Sequence, residues 1–124
     1  MRSINTEKSP QALGPYSQGV VTGNLIFVSG QIPLDADGKL VSEDIQEQTR
    51  QCLRNISHIL EEAGSSLDKV IKTTIYLADM DDFPRVNEAY AGFFTDPYPA
   101  RSCVEVSRLP RDGKIEIEAI AELI

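Results

Sequence analysis

The sequence PARSCVEV at residues 99–106 decides how this chain folds and where its polar site lies. It alternates as a β-strand does, so Arg101, Cys103 and Glu105 share one face. The opposite face carries Ser102, Val104 and Val106. A guanidinium group therefore stands at the start of an otherwise strand-like apolar segment.

A second strand-like sequence, KIEIEAIA, follows at residues 114–121. One face carries Ile115, Ile117, Ala119 and Ala121, and the other carries Glu116, Glu118, Ile120 and Glu122. The turn residues Leu109-Pro110 and Asp112-Gly113 between the two segments predict that they form a hairpin. An arginine and a glutamate on paired strands could bind one small acid and handle its protons.

The first eighty residues predict three further strands. Residues 18–22 and 25–30 flank the turn Gly23-Asn24 and predict a β-hairpin. An extended segment over residues 1–16, the lead-in, precedes this hairpin, and a loop over residues 31–43 follows it. Residues 69–78, KVIKTTIYLA, alternate as well. One predicted face carries Val70, Lys72, Thr74 and Tyr76, and the other carries Ile71, Thr73, Ile75 and Leu77.

Two amphipathic helices are predicted between these strands. Asp44 with Glu47 three positions on forms a capping box, and Gly64 is placed to end the first helix. Its apolar positions are Ile45, Thr49, Cys52, Leu53, Ile56, Ile59, Leu60 and Ala63. Asp81 or Asp82 caps the second helix, whose apolar stripe is Phe83, Val86, Tyr90, Phe93 and Phe94.

This order of elements predicts a single α+β domain over residues 1–124, with a mixed or antiparallel sheet and both helices on one face. No helix is left to cover the second face of the sheet, which is therefore either solvated or in contact with another subunit. We expect that face to carry Lys72, Thr74, Tyr76, Arg101, Cys103, Glu105, Glu116 and Glu118.

The composition excludes several classes of protein. The formal charge of −7 repels nucleic acid and offers no attraction to an anionic membrane, although Arg101, Arg108, Arg111 and Lys114 form a local basic group. One histidine and two separated cysteines indicate neither a zinc site nor a disulfide framework. No signal peptide and no apolar run of bilayer length is recognised, so a soluble cytoplasmic protein is expected.

Three candidate site residues, Arg101, Glu118 and Cys103, each have a structural interpretation as well as a functional one. Arg101 either forms an ion pair with Glu116 or Glu118 across the sheet, or binds a substrate carboxylate through its planar fork. Glu118 is either solvated or holds a water and moves a proton. Cys103 is either a nucleophile, since Arg101 on the same face could lower the pKa of its thiol, or a buried or pocket-lining residue. We expect the second, because His58 lies off the apolar stripe of its helix and is not available as a base.

Several separated motifs resemble the RidA (YjgF-type) family of reactive imine deaminases. They are Gly14-Pro15-Tyr16, Val28-Ser29-Gly30-Gln31-Ile32-Pro33, Asn87-Glu88-Ala89-Tyr90 with Phe93-Phe94, PARSCVEV and IEIEAIA. The resemblance covers the whole chain, and the motifs occur in the right order. One departure is the connection FTDPYP at residues 94–99, which is shorter than is common in the family and bears on substrate breadth.

The resemblance implies a chorismate-mutase-like fold and a homotrimer with clefts between subunits. It also implies hydrolysis of enamine and imine acids, such as 2-aminoacrylate and 2-iminobutanoate from pyridoxal-phosphate enzymes, without a cofactor. By the same resemblance Arg101 binds the carboxylate and Glu118 positions water. The cleft is then lined by Tyr16, with a catalytic role, and by Ser29, Gly30, Asn87 and Cys103.

Two alternatives to the deaminase remain open at this point. A regulatory trimer that binds 2-keto acids without turnover keeps Arg101 and makes Glu118 dispensable. Ribonuclease activity has been associated with the family, but the acidic balance and the solvent-facing position of His58 argue against it.

Overall fold

Six strands and two helices build the chain, and the structure, a computed structural model, describes all of residues 1–124. The strands are β1 (Arg2–Ile4), β2 (Gly19–Thr22), β3 (Leu25–Gln31), β4 (Val70–Leu77), β5 (Ala100–Glu105) and β6 (Ile115–Glu122), and the helices are α1 (Ile45–Glu62) and α2 (Phe83–Ala91). The strands form one mixed sheet in the order β1-β2-β3-β6-β4-β5. Only β4 and β5 pair in parallel; the other pairs are antiparallel.

The elements predicted from local signals are confirmed. The β2–β3 hairpin turns at Gly23, which has φ of 58°. Helix α1 begins after Asp44, whose carboxylate accepts a hydrogen bond from the backbone N–H of Glu47 at 3.0 Å. The second bond of the predicted capping box is not made, because the backbone N–H of Asp44 donates to Oγ of Ser42 and the carboxylate of Glu47 pairs with Arg50. The backbone turns left-handed at Gly64, just beyond the helix. The lead-in adds the short edge strand β1, which the sequence did not predict.

The start of α2 differs from its predicted form. Asp82 occupies the N-cap position, but its side chain makes no capping hydrogen bond. A 3₁₀ turn over Met80–Asp82 precedes the helix, and the carboxylate of Asp79 accepts from the backbone N–H of Asp81 in that turn. The chain therefore enters α2 through a 3₁₀ turn that is capped by Asp79.

The predicted hairpin of the last two strands is wrong, because β4 lies between β5 and β6. The chain does reverse direction after β5, through a 3₁₀ turn at Pro110–Asp112. Turn residues predict that reversal, but they do not determine which strand becomes the neighbour. Strand β6 instead takes the centre of the sheet between β3 and β4, where its alternate residues from Ile115 onward are buried.

The face predicted for Arg101, Cys103 and Glu105 is also wrong, since all three point to the side of the sheet that carries the helices. Residues in register on neighbouring strands point to the same side of a sheet. Arg101 is in register with Thr73, and Cys103 with Ile75, and both partners are buried against the helices. Val104 points away from them and is 44% exposed.

A bulge in β4 exchanges the predicted faces of two further residues. The pairing with β6 shifts between Val70 and Lys72, so Val70 is buried and Ile71 is 42% exposed. Both helices lie on one face, where they share a single core of 21 buried residues with the sheet. Neither helix is long and apolar enough to span a lipid bilayer.

Buried amide side chains hold the loops that lead to the candidate site. Gln18 is 3% exposed; its Oε1 accepts from the backbone N–H of Thr6 at 2.7 Å, and its Nε2 donates to the carbonyl of Pro10 at 2.9 Å. Asn55 on α1 donates to the carbonyl of Leu34 at 2.9 Å. These bonds fix the lead-in before Tyr16 and the loop after β3.

We expect Gln18→Leu to lower the free energy of unfolding by roughly 1–3 kcal/mol, because the buried N–H of Thr6 loses its acceptor. Urea unfolding measures the change. The control is Gln11→Leu, since Gln11 is exposed and donates to the carbonyl of the same Thr6. That variant should stay within about 0.5 kcal/mol of the original chain. Equal losses in both variants would contradict the role of Gln18.

Candidate functional site

Arg101 reaches from β5 towards α2 without meeting a carboxylate. Its Nη1 donates to Oδ1 of Asn87 at 2.8 Å, and its Cζ lies 5.3 Å from the ring centre of Phe83 and 5.0 Å from that of Tyr90. The ion pairs of the chain are Arg50–Glu47, Arg85–Asp44 and Arg108–Asp112. The ion-pair interpretation of Arg101 is therefore wrong, and its charge is free to meet an external anion.

Cys103 lies two residues beyond Arg101 on the same face and packs against the core. Burial raises the pKa of its thiol, although the positive charge of Arg101 acts in the opposite direction. The other cysteine, Cys52, is fully buried, and this burial raises its pKa well above the usual range. Neither thiol is an activated nucleophile at neutral pH, because a nucleophilic cysteine needs a lowered pKa.

A second group of predicted site residues lies around Glu118. Tyr16, Ser29 and Glu118 line a shallow cavity of about 390 Å³. Oε1 of Glu118 accepts a hydrogen bond from the hydroxyl of Tyr76 at 2.6 Å. This bond, together with burial and the nearby negative charges, raises the pKa of Tyr76 to about 12. Tyr76 therefore stays a hydrogen-bond donor and holds the carboxylate of Glu118 in place.

Glu116 belongs to the same polar face, and strand alternation alone does not distinguish it from Glu118. Its carboxylate lies so close to Gly30 that a Cβ atom at position 30 would collide with Oε2. Burial raises the pKa of Glu116, and the negative charge of Glu118 raises it further. A glycine within a strand often marks a close approach by another group, which was the available signal. The sequence did not indicate which group approaches Gly30.

The structure places the two groups on opposite sides of the sheet. Arg101 is in register with Thr73 on the helix side, whereas Glu118 is in register with Thr74 on the uncovered side. The cavity beside Arg101, of about 400 Å³, is lined by Asn87, Tyr90, Ala91, Tyr98, Pro99 and Arg101 and shares no residue with the cavity beside Glu118. One chain thus brings together Asn87, Arg101 and Cys103, and separately Tyr16, Ser29, Gly30, Glu116 and Glu118.

Neither group resembles a metal centre. No three His, Cys, Asp or Glu side chains stand close enough together to hold a metal ion. A cavity of about 660 Å³ adjoins Tyr16 and Gly30 and is bounded by the lead-in, the loop after β3 and the turn at Pro110. It extends the Glu118 side of the site and leaves the Arg101 side untouched.

Comparisons with known proteins agree on the family. Residues 6–123 match the family model described as Endoribonuclease L-PSP. The chain is 56% identical to a RutC family protein of Pyrococcus abyssi, with 95% of this chain and 94% of that protein covered. It is 50% identical to a 2-iminobutanoate/2-iminopropanoate deaminase of Salmonella typhimurium, with 97% and 96% covered. A putative endoribonuclease structure from Thermotoga maritima superposes with a TM-score of 0.95 at 53% identity, covering 98% and 97% of the two chains.

We expect Gly30→Ala to push the carboxylate of Glu116 into solvent and to lower its pKa towards the ordinary glutamate value, because burial is the main cause of the raised pKa. The backbone at Gly30 is not left-handed, so alanine adds a side chain without backbone strain. The ¹³C shift of the carboxyl group, followed against pH, measures the change. Gly92→Ala is the control, because its Cβ would meet only ordinary contacts. An unchanged titration in Gly30→Ala would refute the proximity.

Proposed function

The chain belongs to the RidA (YjgF-type) family, and from that membership we propose that it hydrolyses 2-enamine and 2-imine acids to 2-keto acids and ammonia. The substrates are small products of pyridoxal-phosphate enzymes, such as 2-aminoacrylate and 2-iminobutanoate. The observation that carries the proposal is the guanidinium of Arg101, which the chain holds in place while leaving its charge unpaired. The Salmonella typhimurium relative, which is 50% identical to this chain, is named for this activity.

Arg101 anchors the substrate carboxylate in this proposal. Its planar fork can donate two parallel hydrogen bonds to the two oxygens of a carboxylate. Only one of its N–H groups is used within the chain, by Asn87. Cys103 and Asn87 border the anchored carboxylate, and direct contact of either with substrate stays a prediction.

The two glutamates divide the proton transfers. Glu116, whose pKa is raised, supplies a proton to the imine nitrogen, or to C3 of the enamine to give the imine. Glu118, held by Tyr76, orients the water that attacks C2. The attacking water loses one proton to a carboxylate, which gives a carbinolamine. The hydroxyl proton of the carbinolamine then moves to its amino group, and ammonia leaves as the C=O bond of the 2-keto acid forms. The hydroxyl of the exposed Tyr16 closes the cleft over the substrate.

A cleft between two copies of the chain unites the groups that one chain keeps apart. We infer a homotrimer, as the resemblance implied, in which Arg101 of one copy faces the glutamates of the next. The uncovered sheet face supports association, since Phe27 and Val104 expose apolar surface there and no helix covers it. An action in the cytoplasm stays a prediction.

Two other activities fit the observations less well. A non-catalytic 2-keto acid-binding trimer would use Arg101, but it gives no reason for a half-buried glutamate whose pKa is raised. Nuclease activity, which the names of the family model and of the Thermotoga structure suggest, needs attraction to a polyanion. The chain carries a formal charge of −7, and His58 lines a separate cavity with Glu61 and Glu62.

Arg101→Ala should lower the rate of 2-aminoacrylate hydrolysis by about a hundredfold or more, because two charge-assisted hydrogen bonds of roughly 1.5–3 kcal/mol each are lost. Arg101→Lys should also lower this rate, since the point charge of an ammonium group does not replace the two parallel hydrogen bonds of a guanidinium. The assay generates 2-aminoacrylate with a serine dehydratase and follows its decay.

Arg85→Ala is the matched control, because Arg85 lies on α2 but pairs with Asp44. Full activity in Arg101→Ala would disprove the proposed anchor. Keto-acid binding that survives in Glu118→Ala, combined with no turnover in the original protein, would favour the regulatory trimer.

Mixed assemblies test the shared cleft. Arg101→Ala is co-refolded with Glu116→Gln or Glu118→Gln, whichever is inactive alone. In random mixed trimers about one quarter of the clefts should receive an intact arginine and an intact glutamate from different copies, so activity should return to about that level. The decay assay measures the recovery. No recovery in assemblies shown to be mixed would place both groups in one chain's cleft.

A further inference from the structure

Helix α2 presents three side chains to Arg101 along one face. Phe83, Asn87 and Tyr90 are spaced at i, i+4 and i+7, which places them in line on a helix. Asn87 accepts one guanidinium N–H at 2.8 Å, and the two ring centres lie 5.3 and 5.0 Å from Cζ. We call these three residues the α2 cradle.

Every member of the α2 cradle is electrically neutral. A carboxylate at the same place would fix the guanidinium equally well, but it would compete with an incoming carboxylate for the same charge. Aromatic faces attract a cation through their quadrupole and leave its N–H edge free. The cradle thus orients the arginine without neutralising it.

Tyr90 is itself held rigidly. It is 5% exposed, its hydroxyl is 2.8 Å from Oγ1 of Thr73, and its ring packs at a tilt of 36° against that of Phe94, with centres 4.7 Å apart. Thr73 is the residue of β4 that lies in register with Arg101 on β5. The Tyr90 ring that contacts the guanidinium is therefore held by β4, the strand next to Arg101.

We propose that the α2 cradle is the positioning device for Arg101: Phe83 and Tyr90 orient its guanidinium so that the free N–H edge meets the substrate carboxylate. The proposal rests on the proposed function for the identity of the anion. The positioning itself concerns this chain alone. Tyr90 serves additionally as the link between α2 and the sheet, so Phe83, which is only partly buried, is the cleaner residue to change.

The test combines Phe83→Leu with Arg101→Ala and measures pyruvate binding by calorimetry. Phe83→Leu should weaken the affinity about two- to fivefold, the loss expected for one partly exposed cation–π contact. It should cause no further loss in the Arg101→Ala chain, because the cradle acts only through that arginine. Phe83→Tyr should restore the affinity, and Phe93→Leu should leave it unchanged, because the cation–π contacts of Arg101 are with Phe83 and Tyr90.

A second readout does not depend on any ligand. The ring currents of Phe83 and Tyr90 shift the ¹H resonance of the Arg101 Nε–H group, and Phe83→Leu should reduce that shift. Equal losses of affinity with and without Arg101, or an unchanged resonance in Phe83→Leu, would overturn the positioning role. Absence of pyruvate binding in the original protein would instead overturn the proposed function, and the resonance would still decide the role of the cradle.

Discussion

The parallel pairing of β5 with β4 is the constraint on which the arrangement of the site depends. It sets Arg101 beside Thr73 and so turns the guanidinium towards the helices. Antiparallel pairing of β6 with β4 sets Glu118 beside Thr74 and turns that carboxylate the other way. Two residues that a simple hairpin would bring together are thereby separated by the thickness of the sheet.

The electrostatics of the two sides differ in a way that suits complementary tasks. On the helix side, a cation is held by an amide and two rings, and it keeps its full charge. On the uncovered side, two carboxyl groups stand two residues apart: burial raises the pKa of Glu116, and Glu118 accepts a hydrogen bond from the hydroxyl of Tyr76. Two carboxyl groups in different environments commonly divide the acid and base roles of a reaction between them.

The sequence predicted what local physics determines. The N-cap at Asp44, the Gly23 turn and the stripe of α1 were all confirmed, because each depends on residues within a few positions of one another. The neighbour of β5 was predicted wrongly, since strand order depends on which pairing buries most surface across the whole chain. The polarity of Arg101 and Glu105 pointed to the solvated face, although both find polar partners beside α2. The fit of Glu116 against Gly30 joins two strands that are far apart in the sequence, so alternation alone could not distinguish Glu116 from Glu118.

The separation of Arg101 from the glutamates has a consequence for the behaviour of the protein at different concentrations. In the proposed assembly no cleft exists in a lone chain, so catalysis obeys mass action and disappears when dilution dissociates the subunits. A newly made chain would be catalytically silent until it met its partners. The concentration of the protein would then determine both the number of active sites and whether active sites form at all. An enzyme whose active site lies within one chain has no such threshold.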